Sequence, residues 1–367
     1  MGVSPNKQII FLSVMILIPG VVVLLVLEMF VRAFYPTIDL DVLTGREKGP
    51  NPMAEWAFVD AFSAYRAKPG NYSKGKTVNE HGFISTPEIS VSKPAGTLRI
   101  VFLGESSTAG TGVNLEDQET WPWKTAEMIR QQTGKQVDFI NAALGGYTTF
   151  ESYGRLWSRI RHFSPDLIVL YHGWNEMYYF AQVDTVSSWR TLPDGNWSFE
   201  RSPAPIKQFE PLPVDPFVAW SQVLTRARLR LSKEPAGEVG AREEAPLSTE
   251  FDRRGLEIWR TNLQLLKSAA EIIGAKLVVA KQATLIVPNL SESDRKKCRY
   301  EFHGFDHDTH VRAFQGLYDV IDQELPPEAI IDVTPISGRS EYFYDHIHPT
   351  PEGTTQIAQI VSNFLTR

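Results

Sequence analysis

Gly104-Glu105-Ser106-Ser107-Thr108 follows directly on the apolar run Arg99–Leu103. The glycine permits a sharp turn, and Ser106 falls where a strand hands over to a helical turn, with its hydroxyl exposed. That is a nucleophile's position; the plainer alternative is a Ser/Thr cap for a helix. Three other segments that follow apolar runs or precede helices carry polar groups that could act with it. Asn141-Ala142-Ala143-Leu144-Gly145-Gly146-Tyr147 holds a glycine pair, which lets backbone N–H groups approach a ligand closely or simply makes a tight connection. In Tyr171-His172-Gly173-Trp174-Asn175-Glu176, the Asn175 amide could donate to an oxyanion or form an Asx-type turn. Asp345-His346-Ile347-His348-Pro349 precedes the last helix. An Asp and a His three apart on a tight turn let the carboxylate reach one imidazole nitrogen and leave the other to face a hydroxyl. The alternative there is a polar turn that caps the helix.

The elements that must position these groups are legible as apolar runs. Arg99–Leu103, Val137–Ala142, Leu167–Tyr171, Lys276–Ala280 and Ala329–Val333 read as buried strands. Between them lie amphipathic stretches: Trp121–Gln132, Thr149–Phe163, Phe251–Ile273, His310–Gln323 and Gly353–Leu365. Continuous apolar strands alternating with helices imply a parallel sheet covered on both faces, whose chemistry gathers at the carboxyl ends of the strands. Residues 177–250 break the rhythm. A structureless loop of that length is improbable inside a domain, so the segment reads as an inserted cap near the site.

Ile9–Leu27 carries no charge over nineteen residues and nearly spans a hydrocarbon core at about 1.5 Å per residue. It is longer than a signal-peptide core and no small-residue cleavage site follows, so residues 1–35 are expected to form a tail and an uncleaved anchor. Lys7 precedes the run while Arg32, Arg46 and Lys48 follow it, so charge counting does not decide orientation. Residues 36–96, rich in turn formers, read as a stalk with short lead-in strands. Lys and Arg number 37 against 43 Asp and Glu, with no long basic run, and no nucleic-acid partner is expected. The single cysteine, Cys298, excludes an internal disulfide framework and any Cys-rich metal site.

Taken together, Gly104-Glu105-Ser106, the Asn141…Gly146 loop, Gly173-x-Asn175 with Glu176, and Asp345-x-x-His348 resemble the four blocks of the SGNH (GDSL-like) hydrolase family. The resemblance covers about residues 97–367, with the insertion unmatched. Asn79-Glu80-His81-Gly82-Phe83 and Lys93-Pro94 are similar to the lead-in of membrane-anchored bacterial members. It implies a three-layer α/β/α, flavodoxin-like parallel sheet and hydrolysis of an ester. Ser106 would be the nucleophile, His348 the base and Asp345 its orienter. An oxyanion hole would come from the Ser106 N–H, the Gly146 N–H and the Asn175 side chain. Neither metal nor other cofactor is implied. An acylated small molecule, glycan or lipid would be the substrate, and the catalytic domain would lie outside the cytoplasm. The same site could serve an O-acyltransferase, or persist as a pocket in a non-catalytic envelope module.

Glu105, Ala143, Trp174 and Glu176 depart from common family choices; a bulky Trp174 could narrow the acyl pocket. His346 is an alternative base. His303, His307 and His310 with Asp306 and Asp308 have a spacing that could suit a metal, but Asp308 also reads as a helix N-cap.

Overall fold

The apolar runs assemble as the alternation requires. The structure, a computed structural model, describes residues 5–43, 56–73, 75–111, 113–181, 212–231 and 246–367. Arg46, Lys48 and much of the insertion, 182–211 and 232–245, lie outside the described residues. Two antiparallel hairpins come first, β1 (Ala57–Asp60) with β2 (Ala64–Ala67) and β3 (Gly70–Ser73) with β4 (Lys76–Val78). Five parallel strands follow: β5 (Leu98–Gly104), β6 (Val137–Asn141), β7 (Leu167–His172), β8 (Lys276–Lys281) and β9 (Ile330–Asp332). Their order across the sheet is β6-β5-β7-β8-β9.

The principal helices run α1 (Pro5–Phe34), α2 (Ser106–Ala109), α3 (Trp121–Thr133), α4 (Thr149–Ser158), α5 (Asp215–Val218), α6 (Gln222–Leu231), α7 (Arg254–Ile272), α8 (His307–Glu324) and α9 (Pro351–Leu365). The chain steps one way from β5 to β6 and the other way from β6 onward. Right-handed crossovers therefore place α3 on one face of the sheet and α4, α7 and α8 on the other. The packing agrees: α9 lies against α3, while α7 lies against both α4 and α8. This is the three-layer, flavodoxin-like arrangement, and its topological switch point lies between β5 and β7, beyond their carboxyl ends. Ile100 to Leu103, Ile168 to Leu170 and Val278 to Ala280 are wholly buried, as strands covered on both faces must be.

Two helix starts lie upstream of the expected ones, and the cause is capping. Asp306, not Asp308, caps α8 by accepting the Thr309 N–H at 2.7 Å, so the helix begins at His307. Thr350 caps α9 by accepting the Gly353 N–H at 3.1 Å, and Pro351 takes the first helical position. Thr149–Phe163 is not one helix. It closes at Ser158 and tightens into a 3₁₀ turn over Ile160–Phe163.

The chain divides into two units: Met1–Asn51 with Glu200–Glu244, and Pro52–Phe199 with Ala245–Arg367. The second holds the hairpins and the parallel sheet. In the first, α1 includes the uncharged run Ile9–Leu27. Among the described residues, no helix is long and apolar enough to cross a membrane; within α1 the side chains of residues 5–14, 16 and 17 lie outside that description.

Candidate active site

Ser106 opens α2 immediately after β5, with extended Glu105 as the residue before the helix. Gly104 is needed there because a Cβ would lie 2.1 Å from Thr108 Oγ1 and 2.8 Å from the Tyr171 carbonyl. The four-residue helix ends at Gly110 in the left-handed region, φ 67°. The handover from strand to helix therefore takes a single turn and leaves Ser106 partly exposed while Ser107, Thr108 and Ala109 are buried.

The turn that precedes α9 reaches this hydroxyl. His348 Nε2 and Ser106 Oγ are 2.8 Å apart, and His348 Nδ1 and Asp345 Oδ2 are 2.8 Å apart. Asp345 also shapes its own turn, since Oδ1 accepts the N–H groups of Ile347 at 2.9 Å and His348 at 2.8 Å. Burial would raise the Asp345 carboxyl. The hydrogen bonds that the His348 ring and backbone N–H donate outweigh burial and hold the group below the usual carboxylate range. With an ionised Asp345 accepting from Nδ1–H, the lone pair of His348 Nε2 faces the Ser106 hydroxyl, which suits removal of that proton. The alternative base, His346, bonds neither group in this way. Its ring packs 3.9 Å from that of Trp174, and burial pushes it down to about 3.

The other two loops are tied to the same turn. A Cβ on Gly145 would lie 3.9 Å from that of Ser106, and Gly146 adopts φ 80°. Glu105 Oε2 accepts the Asn175 N–H at 2.8 Å, and Asn175 Nδ2 donates to the Tyr147 carbonyl at 2.9 Å. One Nδ2 hydrogen is thereby used to fix the amide, and an amide nitrogen has a second to offer. Glu105 is wholly buried, and burial raises it to about 7 against the opposing hydrogen bonds of Gln282 and Asn175. Glu176 turns away from this cluster. Its Oε1 accepts the Thr149 N–H at 2.7 Å and its Oε2 the Thr149 hydroxyl at 2.9 Å, which docks the start of α4 on the loop after β7. Trp174 is 3% exposed and stacks parallel to His310 with 5.2 Å between centroids, so it forms the buried underside of that loop.

Sequence reasoning missed the loop after β8. Gln282 Nε2 donates to Glu105 Oε1 and, at 3.1 Å, to the Ser107 hydroxyl, while its Oε1 accepts the Trp174 N–H at 2.7 Å. Gly173 leaves the room, since a Cβ there would lie 2.5 Å from Gln282 Oε1. Two residues on, Thr284 Oγ1 donates to the His346 carbonyl at 2.8 Å. One short segment thus joins the turns that carry Ser106, Asn175 and His348. Its signal was a polar Gln and Thr beyond the carboxyl end of an apolar strand. Tyr65 of β2 was missed as well. Its hydroxyl donates to the Gly145 carbonyl, and Tyr147 donates to the Tyr65 carbonyl, binding the first hairpin to the glycine loop.

The histidine cluster is taken up by other partners. His303 Nδ1 and His310 Nε2 are 3.3 Å apart, and His307 meets the Tyr300 hydroxyl at 2.8 Å and the Val287 carbonyl at 2.9 Å. Burial lowers all three, His310 to about 4. Among the described residues no group of His, Cys, Asp and Glu is placed to hold a metal ion. His172 bonds Ser152 at 2.8 Å and His162 is exposed; neither bonds the Ser106 hydroxyl.

No protein-family model matches the chain, and no curated protein matches it in sequence. Solved structures similar in shape include the lipase Lip_vut3 from a goat rumen metagenome, 15% identical at a TM-score of 0.43, covering 73% of this chain and 97% of that one. A putative GDSL-like lipase from Parabacteroides merdae is 14% identical at 0.39, covering 76% and 99%. The psychrotrophic esterase EstA from Pseudoalteromonas sp. is 13% identical at 0.39, covering 73% and 96%.

Proposed function

We propose that the chain is a serine hydrolase of the SGNH type that cleaves an ester, most simply an O-acyl group on an envelope glycan or lipid. The observation that carries this reading is the unbroken relay from Asp345 through His348 to Ser106, with 2.8 Å at each step. As Ser106 Oγ bonds to the acyl carbon, its proton passes to His348 Nε2. Negative charge on the former carbonyl oxygen is met by the Ser106 and Gly146 N–H groups and the second Asn175 Nδ2 hydrogen. Collapse breaks the C–O bond, and the alcohol leaves with the proton held by His348. Water then repeats the sequence on the acyl-enzyme and frees the acid and Ser106.

The chemistry needs no metal, because Asp345 and His348 supply the base and three N–H donors supply the electrostatic stabilisation. Membrane anchoring belongs to the same proposal. Ile9–Leu27 would span the bilayer within α1, holding the hydrolase unit outside the cytoplasm near acylated envelope material. The test is turnover of p-nitrophenyl acetate by the wild type, Ser106→Ala and His348→Ala. Both variants should lose at least about 10³-fold in kcat, with only the residual rate that the oxyanion donors and binding sustain. Undiminished hydrolysis by Ser106→Ala would remove the proposal.

A further inference from the structure

Residues 212–231 of the insertion have their own place in the fold: α5 and α6 group with α1. The joint is specific. Glu28 of α1, its side chain only 13% exposed, accepts the Ser221 hydroxyl at 2.8 Å and the N–H groups of Gln222 at 2.9 Å and Val223 at 3.0 Å. A carboxylate from one helix thus caps the first turn of another, satisfying donors that a helix start otherwise leaves open. Arg32, one turn further along α1, bonds Glu28 at 2.6 Å and the Trp220 carbonyl at 2.8 Å. Inside the small unit, Arg228 pairs with the buried Asp215 at 2.8 Å, and Leu40 packs on Leu229.

This joint fixes a height along α1. Glu28 and Arg32 stand one and five residues beyond Leu27, the end of the uncharged run. At about 1.5 Å per residue that is roughly 1.5 to 7.5 Å past the last apolar residue. A bilayer with a core of about 30 Å and a total thickness of about 40–45 Å has a headgroup layer of roughly 5–7.5 Å on each side. The insertion therefore meets α1 at headgroup depth, and what it shows there is aromatic. Phe217 is 74% exposed and Trp220 61%, and Phe30 and Phe34 of α1 and Arg230 of α6 are exposed as well. An apolar ring with a polar flank is the side-chain type that settles at a membrane–water interface, and arginine stems reach phosphate from there.

We propose that α5 and α6 form a foot that rests in the phospholipid headgroup layer, with Phe217 and Trp220 inserted and Glu28 locking the foot to α1. The inference rests on the reading of α1 as a membrane anchor and is independent of the chemistry at Ser106. The full chain with Cys298→Ser, reconstituted in phosphatidylcholine–phosphatidylglycerol vesicles, tests it. A nitroxide is attached in turn at Phe217→Cys, Trp220→Cys, Val22→Cys and, as aqueous reference, Lys296→Cys. Collision rates with oxygen and with a water-soluble nickel chelate then give depth. Val22 should be oxygen-rich and nearly nickel-free, while positions 217 and 220 should collide with nickel several-fold less than position 296. Nickel access at 217 and 220 equal to that at 296, with Val22 deep, would overturn the foot and leave the anchor standing. Low access to both reagents at 217 and 220 would mean a protein cover and would also overturn it. Aqueous readings at Val22 would remove anchor and foot together.

Discussion

Glu105 accepts the backbone N–H of Asn175 at 2.8 Å, so the turn that bears the proposed nucleophile and the turn that bears the proposed oxyanion amide are one hydrogen-bonded body. They follow β5 and β7, the neighbouring strands that flank the switch point of the sheet. Their relative position is therefore set by the parallel register that pairs Gly104 with Tyr171. Anything that loosens this body should be felt at the reacting carbon before it is felt in substrate binding.

Gln282 is where that can be tested. Gln282→Ala removes a donor to Glu105 and Ser107 and the acceptor of the Trp174 N–H, all among buried groups. Leaving a buried polar group unpaired costs about 1–3 kcal/mol. Expressed at the transition state, the loss is a fall in kcat of about 5- to 150-fold. KM should move less than three-fold, and the rate of fluorophosphonate labelling should fall in parallel with kcat. A rise in KM at constant kcat would show that Gln282 serves binding.

Asn175→Ala should lower kcat by roughly 10²–10³, the usual cost of one oxyanion donor. Ser106 and its base remain, so fluorophosphonate labelling should persist at a reduced rate. Loss of labelling together with a lower melting temperature would assign Asn175 to the fold alone.

Glu176 makes stability depend on pH. Burial raises its carboxyl to about 8, above its ordinary 4.5, so the folded chain holds this proton more tightly than the unfolded chain does. Its contribution is fully present below about 4.5 and is lost as pH rises towards 8. Glu176→Gln keeps the shape and does not titrate. Each tenfold difference in proton affinity between the folded and unfolded chain is worth about 1.4 kcal/mol. The stability of wild type minus that of Glu176→Gln should therefore fall by a few kcal/mol between about pH 5 and pH 8. Parallel unfolding curves across that range would contradict it.

Glu28→Ala withdraws the acceptor for the start of α6. In detergent, trypsin should then cut after Arg226 or Arg230 many times faster than in wild type. Hydrolysis at Ser106 should be unchanged. Equal cleavage rates would mean that Glu28 does not hold the helix.

The sheet was legible because strands buried on both faces must be continuously apolar, as Leu167–Tyr171 is. The four loops that meet around Ser106 were legible because parallel sheets collect polar groups at one edge. Four things were not. Asp306 and Asp308 are equally good caps by type, and only the course of the backbone selects Asp306. The grip of Gln282 on Glu105 and Trp174 joins residues more than a hundred positions apart, with no periodicity to betray it. The bond between Glu28 and α6 spans a similar distance, and a charge at the end of an apolar run reads simply as its boundary. Trp174 looked like a pocket wall because the sequence around Asn175 does not reveal that His303, His310 and His346 converge on its ring.

Mass-spectrometric mapping of a fluorophosphonate adduct tests the relay most directly. A single adduct is expected on the tryptic peptide from Ile100 to Lys124, at Ser106, absent from Ser106→Ala and formed at least a hundred-fold more slowly by His348→Ala. An adduct at any other hydroxyl, or labelling of Ser106 at an undiminished rate in His348→Ala, would contradict the assignment.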